Sequence, residues 1–235
     1  GPAFPVVIAL HGYSGAEIYT AIDYTTRYAD GLARAGFLVL HPNLRGYAPS
    51  DSGDNLFRVG MAVDVLNLIA LVKEQGGKPG VLETANPEAI GLWGHSMGGG
   101  ISTRVITVSP DVDAAVLYAA MSGDERQNYE AINQWSDGLR GLEELDVPVE
   151  ELDSISPANF FDRIQAAVSI HHGRADELVP LRWSIATCEQ LQALGKEVEC
   201  YWYEDEPHTF HGDGDALFEQ RVIEFFNREL RGGSE

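Results

Sequence analysis

The most constraining stretch of the chain is Gly94-His95-Ser96-Met97-Gly98-Gly99-Gly100. It is set between the apolar run Ala89-Ile90-Gly91-Leu92-Trp93 and the helix-compatible Ile101-Ser102-Thr103-Arg104-Val105-Ile106. A buried strand that enters G-x-S-x-G and leaves it as a helix is the local context of a nucleophile elbow. The turn is so tight that a Cβ at position 94 or 98 is expected to collide with neighbouring backbone, so glycine stands at both. Ser96 is then expected in strained backbone, its Oγ above the sheet at the positive end of the following helix. A glycine-rich turn with an incidental serine is the plainer alternative. The flanking strand and helix, the extra glycines and the residues downstream favour the elbow.

The rest of the chain alternates in the same way. Phe4-Pro5-Val6-Val7-Ile8-Ala9-Leu10 reads as a buried strand ending at His11-Gly12-Tyr13-Ser14-Gly15, followed by a helix over about 20–35 closed by Gly36. Phe37-Leu38-Val39-Leu40 is a short strand, and the Pro-, Ser-, Gly- and Asp-rich segment to Asn55 is a loop. Between Arg58 and Gln75 the positions Val59, Ala62, Val63, Leu66, Ile69 and Ala70 predict a helical stripe. Further strands are predicted at Ala114–Tyr118, Ala167–His171 and Val198–Tyr203, with helices near 181–194 and 215–230, the latter turning Phe218, Val222, Phe225 and Phe226 inward. Such alternation predicts βαβ units, a mostly parallel twisted sheet and helices on both faces. Residues 122–160 break the rhythm as an acidic insertion spotted with aromatics, which reads as a small cap on one domain of 235 residues.

A net charge of −20 argues against nucleic acid or an anionic membrane surface as partner, and no apolar run reaches the length of a membrane span. The basic residues are mainly arginine, with lysine only at Lys73, Lys78 and Lys196, a bias that fits a salt- or heat-tolerant source. Cys188 and Cys200 make no metal-ligand or C-x-x-C pattern; two buried thiols are the default and one disulfide stays open. The opening residues define no compartment.

A serine hydroxyl needs a base, and the base needs a third group to hold it. His172-Gly173-Arg174-Ala175-Asp176-Glu177-Leu178-Val179-Pro180 follows a predicted strand and puts Asp176 in the turn beyond it. Glu204-Asp205-Glu206-Pro207-His208-Thr209-Phe210 follows the last predicted strand and puts His208 in the matching loop. Glu177 and Asp205 compete for the acid, and His211 competes with His208. His208, His211, Asp213 and Asp215 imitate a metal cluster, but neither H-E-x-x-H nor a full calcium-loop spacing is present, so no metal and no cofactor is expected. Acyl transfer builds charge on a carbonyl oxygen, and backbone N–H groups must receive it. The amides of Tyr13, in the loop after the first strand, and of Met97, after the serine, are the expected donors. His11, His95, Arg45-Gly46 and His171-His172 read as structural hydrogen-bonders.

The motifs P-V-V-x-x-x-H-G, R-G-x-x-x-S, G-H-S-M-G-G, H-G-x-x-D-x-x-V-P and P-H-T-F run from residue 5 to residue 210. Together they resemble the catalytic domain of the prolyl-oligopeptidase-like branch of the α/β-hydrolases, with its acylaminoacyl-peptidase, dienelactone-hydrolase and esterase relatives. The resemblance implies an α/β-hydrolase fold, Ser96, Asp176 and His208 as triad, and an oxyanion hole lined by Tyr13 and Met97. It also implies two departures. The β-propeller of the branch's peptidases is not encoded here, and the strand ending in His11-Gly12 opens the chain where two further strands usually precede it. The 37–40 strand is therefore expected as an exposed apolar edge, which predicts either a truncated N-terminus or a homodimer through that edge.

Three functions follow as expectations. The leading one is a carboxylic-ester hydrolase working through an acyl-enzyme on a small-molecule ester, its pocket drawn from Tyr13, Met97, Tyr118, Met121, Tyr129, Trp135 and Phe160. The second is a peptidase for short peptides with the same triad, Asp124, Glu125 or Arg126 holding a peptide terminus. The third, a non-catalytic binding or scaffold protein, has no need of the three side chains together.

Overall fold

The side chains of Val6 to Leu10 are all fully buried, so this strand has to lie in a sheet covered on both faces. The computed structural model describes residues 3–232, with the backbone alone for residues 21–25. In chain order the elements are β1 (Phe4–Leu10), α1 (Ala21–Arg34), β2 (Leu38–Leu40), α2 (Val59–Gln75), β3 (Ala85–His95), α3 (Met97–Val108) and β4 (Ala114–Tyr118). Then come α4 (Glu125–Trp135), α5 (Leu142–Leu145), α6 (Val149–Ile155), β5 (Ala167–Gly173), α7 (Leu181–Ala193), β6 (Val198–Tyr203) and α8 (Gly212–Arg231). Among the described residues the strands form one sheet in the order β2-β1-β3-β4-β5-β6, every pairing parallel. This is the mostly parallel sheet that the alternation predicts.

Period-two alternation sorts the strand side chains into two cores. Val6, Ile8, Leu10, Ile90, Leu92, Ala115, Leu117, Val168 and Ile170 meet α2, α3 and α7 on one face. Val7, Ala9, Trp93, Val116 and Tyr118 meet Tyr28 and Leu32 of α1 and Phe218, Val222, Phe225 and Phe226 of α8 on the other. Leu10 pairs with Gly94, His95 with Tyr118, and Gly173 with Tyr203, so the carboxyl ends of the strands are level along one rim. Open parallel sheets place their sites outside that rim. The edge strand β2 is only three residues long and half-buried.

Two expectations need correction. The buried stripe of α2 is Met61, Ala62, Val65, Ile69 and Val72, while Val59 and Val63 are exposed. This helix is apolar nearly all round, so periodicity could not choose its inner face. Cys188 and Cys200 are not free thiols but form a disulfide that ties α7 to β6, their Cα atoms 6.4 Å apart. Closing so short a loop stabilises by about 3 kcal/mol in the chain-entropy picture.

The rotated stripe is testable by urea unfolding. Ile69→Ala is expected to cost about 2–5 kcal/mol, whereas Val63→Ala stays within about 0.5 kcal/mol. Equal losses would return Val63 to the core.

Candidate active site

The elbow is where β3 stops and α3 starts, with one residue between them. That residue, Ser96, has φ 55° and ψ −114°, a positive φ that non-glycine residues rarely adopt. The strain persists because its peptide groups are pinned. Ser96 N–H donates to the Tyr118 carbonyl at 2.9 Å, and the Ser96 carbonyl accepts from Gly100 and Met121 N–H, both at 3.1 Å. A Cβ at Gly98 would lie 2.2 Å from the Leu10 carbonyl oxygen, and one at Gly94 would lie 2.4 Å from the Gly98 carbonyl oxygen. Those approaches press the first turn of α3 against the end of β1 and its His11-Gly12-Tyr13 loop. The positive end of α3 thus faces the same rim.

In that loop the His11 ring accounts for one peptide orientation. Nδ1–H donates to the Gly12 carbonyl at 2.7 Å, so in a trans peptide the N–H of Tyr13 points the opposite way. The ring is packed between Tyr19 and Tyr47, at 4.5 and 4.6 Å between centroids, and burial pulls its pKa down to about 4. Met97 opens α3, so its N–H belongs to the first-turn set that has no carbonyl partner inside the helix. The Tyr13 side chain faces the insertion, its hydroxyl bonded to Arg140 and its ring edge-on to Trp135 at 5.8 Å.

Beyond β5, the side chain of Asp176 is wholly buried and receives four donors. Oδ1 accepts from Leu178 N–H at 2.8 Å and Val179 N–H at 2.9 Å. Oδ2 accepts from His208 Nδ1 at 2.8 Å and His172 Nε2 at 3.0 Å. Burial alone would raise this carboxyl; the hydrogen bonds from His172 and His208 outweigh it and hold the group well below the usual carboxylate range. The His208 ring lies 4.6 Å from the ring of His95, the residue before Ser96, and His95 Nε2 donates to the His208 carbonyl at 2.9 Å. His95 in turn lies 4.3 Å from Tyr118. Asp176, His208 and the elbow are therefore brought to one place from three loops. Glu177 and Asp205 are exposed, and His211 points outward beside Glu206.

The expected pocket residues divide. Met121 donates its N–H to the elbow carbonyl and lies against Gly100, and Trp135 is exposed beside Tyr13. Tyr118 is fully buried among Trp93, Phe210 and Phe218, its hydroxyl accepting from Phe210 N–H, so it supports the 207–210 loop and lines no pocket. Tyr129 is buried against Phe57 and the Arg58 guanidinium at the base of the insertion, which removes it from the pocket too. Phe160 lies under Arg163. Of the charges considered for a peptide terminus, Asp124 caps α4 through Gln127 N–H and Arg126 reaches Glu130 at 3.5 Å. Glu125 is buried between Arg58 at 2.6 Å and Arg104 at 2.5 Å. That ion cluster joins residues 67 and 21 positions from Glu125 and has no sequence signature. His211 turns to Glu206 and Asp215 bonds Arg27 and Tyr28; among the described residues no group of three His, Cys, Asp or Glu is placed to hold a metal.

Burial holds three histidines uncharged: His11 at about 4, His95 at about 3 and His171 at about 3, against an ordinary 6.5. A depressed folded pKa means that the unfolded chain takes up protons first as pH falls. Their contribution is therefore complete above about pH 6.5 and is lost on the way down, each histidine adding up to about 1.4 kcal/mol per pH unit. Urea titrations from about pH 7 to pH 4.5 should show this decline, and a flat profile would mean that the rings are solvated in solution.

Comparison with known proteins agrees with this architecture. The zebrafish (Danio rerio) lysophosphatidylserine lipase ABHD12 is 28% identical over 102 residues, 43% of this chain and 23% of that protein. The Pyrococcus horikoshii acylaminoacyl peptidase superposes with a TM-score of 0.78 at 23% identity, covering 100% of this chain and 38% of the peptidase. The Pyrococcus furiosus esterase Pf2001 gives 0.74 at 19% identity, covering 97% of this chain and 84% of the esterase. The chain thus spans about a quarter of the lipase and under two fifths of the peptidase. The sequence profile of the dienelactone hydrolase family matches residues 1–229, so the chain belongs to that family and has the α/β-hydrolase fold.

Proposed function

We propose that this protein is a serine esterase in which Ser96 attacks the carbonyl carbon of a carboxylic ester, His208 moves the proton and Asp176 holds His208. The observation that carries the reading is the Asp176–His208 hydrogen bond at 2.8 Å, made by a ring that rests on the neighbour of Ser96 in a strained elbow. Because Nδ1 donates to Asp176, Nε2 is the basic nitrogen, the one a serine proton needs. As Oγ bonds to carbon, its proton passes to Nε2 and the carbonyl electron pair moves onto oxygen. Tyr13 and Met97 N–H receive that oxyanion, each such donor contributing about 2.7–4 kcal/mol. Collapse expels the alcohol with the proton from His208. A water then repeats the sequence on the acyl-enzyme, returning the acid and free Ser96.

Esters are favoured over peptides by membership of the dienelactone hydrolase family, lactones being cyclic esters. The consumption of Glu125 by two arginines points the same way, leaving it unable to hold a peptide terminus. Short-peptide hydrolysis stays as the second reading because acylaminoacyl peptidases share the fold.

Parallel assays with p-nitrophenyl acetate, p-nitrophenyl butyrate and an aminoacyl p-nitroanilide decide between them. Ester turnover without anilide cleavage is expected; rapid anilide cleavage overturns the ester reading. Ser96→Ala should lower kcat roughly 10⁴- to 10⁶-fold, and Asp176→Asn about 10⁴-fold. The rate should also fall on the acid side as the His208 imidazole takes up a proton, and a flat profile there would count against His208 as base.

A further inference from the structure

His172 is wholly buried, one turn of chain before Asp176, and has no place in the chemistry above. Its Nε2 faces two acceptors, the Asp176 Oδ2 at 3.0 Å and the Val179 carbonyl at 3.0 Å. Its Nδ1 faces the hydroxyl of Ser184 on α7 at 2.7 Å. An imidazole whose Nε2 meets only acceptors must carry its hydrogen there, and the Ser184 hydroxyl then supplies the hydrogen to Nδ1. The ring cannot turn over without placing two acceptors against a bare nitrogen. Oδ2 of Asp176 is consequently shared by two imidazoles, one facing the elbow and one facing the protein interior.

We propose that His172 is a positioning residue of the active site: it clamps Asp176 from behind and sets how strongly that carboxylate draws on the His208 imidazole. This rests on the reading of Ser96, Asp176 and His208 as a catalytic set. A donor to Oδ2 withdraws charge from the oxygen that His208 uses. With His172 in place, Asp176 orients His208 without over-stabilising its protonated form, and the base stays free to accept the serine proton. Ser184, anchored in α7, holds the hydrogen of His172 on the side of the carboxylate. The depressed pKa of Asp176, to which His172 contributes, is in line with this geometry. The other titratable groups around His208 do not compete for Oδ2. His95, from β3, bonds the His208 carbonyl; Tyr118, from β4, bonds Phe210 N–H; Glu206, on the same loop, bonds His211 N–H.

The test compares His172→Phe, which removes both ring nitrogens, with His172→Gln, whose amide N–H reaches the position of Nε2, and with Ser184→Ala. For His172→Phe the acid limb of kcat/KM is expected to move to higher pH, with kcat down by about 10- to 100-fold and KM unchanged. His172→Gln should restore most of both, and Ser184→Ala should move the limb the same way by less. The His208 ring, followed by ¹⁵N NMR titration in the Ser96→Ala protein, should shift upward with His172→Phe without any turnover being needed. If His172→Phe does not fold, Ser184→Ala carries the test. An acid limb and NMR titration that stay in place, or a loss that Gln does not rescue, would make His172 a packing residue only. Activity surviving Ser96→Ala would instead remove the catalytic set on which the proposal stands.

Discussion

The backbone of Ser96 is the point on which the remaining structure depends. A positive φ at a residue with a side chain costs of the order of 1–3 kcal/mol and persists only where its surroundings over-determine it. Here they do: β4 supplies a carbonyl to the Ser96 N–H, α3 and Met121, just before the insertion, supply donors to its carbonyl, and two glycines let three backbones come within contact. Removing the Cβ at positions 94 and 98 is what permits α3 to start one residue after β3 ends. The same approach brings the loop after β1 against the N-terminal turn of α3. The strained serine and the candidate oxyanion donors are thus products of a single packing event.

A second assembly holds the imidazole. His208, His95, Tyr118 and Phe218 follow one another as rings in contact, from the rim of the sheet down to α8, with centroid separations of 4.6, 4.3 and 4.4 Å. The column supports His208 from below, the Phe210 N–H is tied to the Tyr118 hydroxyl, and Asp176 holds the far edge of the ring. Burial keeps His95 neutral, so no second positive charge opposes His208 when it becomes protonated. Asp176 stays ionised in a buried place because each of its oxygens has donors, the usual condition for keeping a carboxylate out of water.

The insertion is attached by polar contacts. Arg58, displaced into positive φ, and Arg104 of α3 converge on Glu125, and Asn128 donates to the same carboxylate at 3.2 Å. Removing Glu125 would leave two buried guanidinium groups without a counter-charge, so the carboxylate is the member on which the cluster depends. Through α4 the cluster positions Trp135, which meets Tyr13, so the insertion and the candidate oxyanion loop touch. A contact between elements this far apart in sequence gives the insertion a direct mechanical link to the rim.

The strands, their order of appearance, the elbow and the turns that carry Asp176 and His208 were legible in the sequence because each is local. Strand cores read as short apolar runs, the elbow as glycine spacing, and the two loops as turns after strands. The helix starting directly after Ser96, the strand at 198–203 and the inward phenylalanines of α8 match that reading. What required tertiary structure is of another kind. Which face of α2 is buried depends on what packs against it, since its apolar residues surround the axis. Whether Cys188 and Cys200 are paired depends on α7 lying beside β6. Tyr118 reads as a pocket aromatic until β4 is seen to aim it into the lower core. The partners of Glu125 and the second imidazole on Asp176 are long-range or orientation-dependent, and spacing carries no information about which way a side chain points once helices and strands have packed.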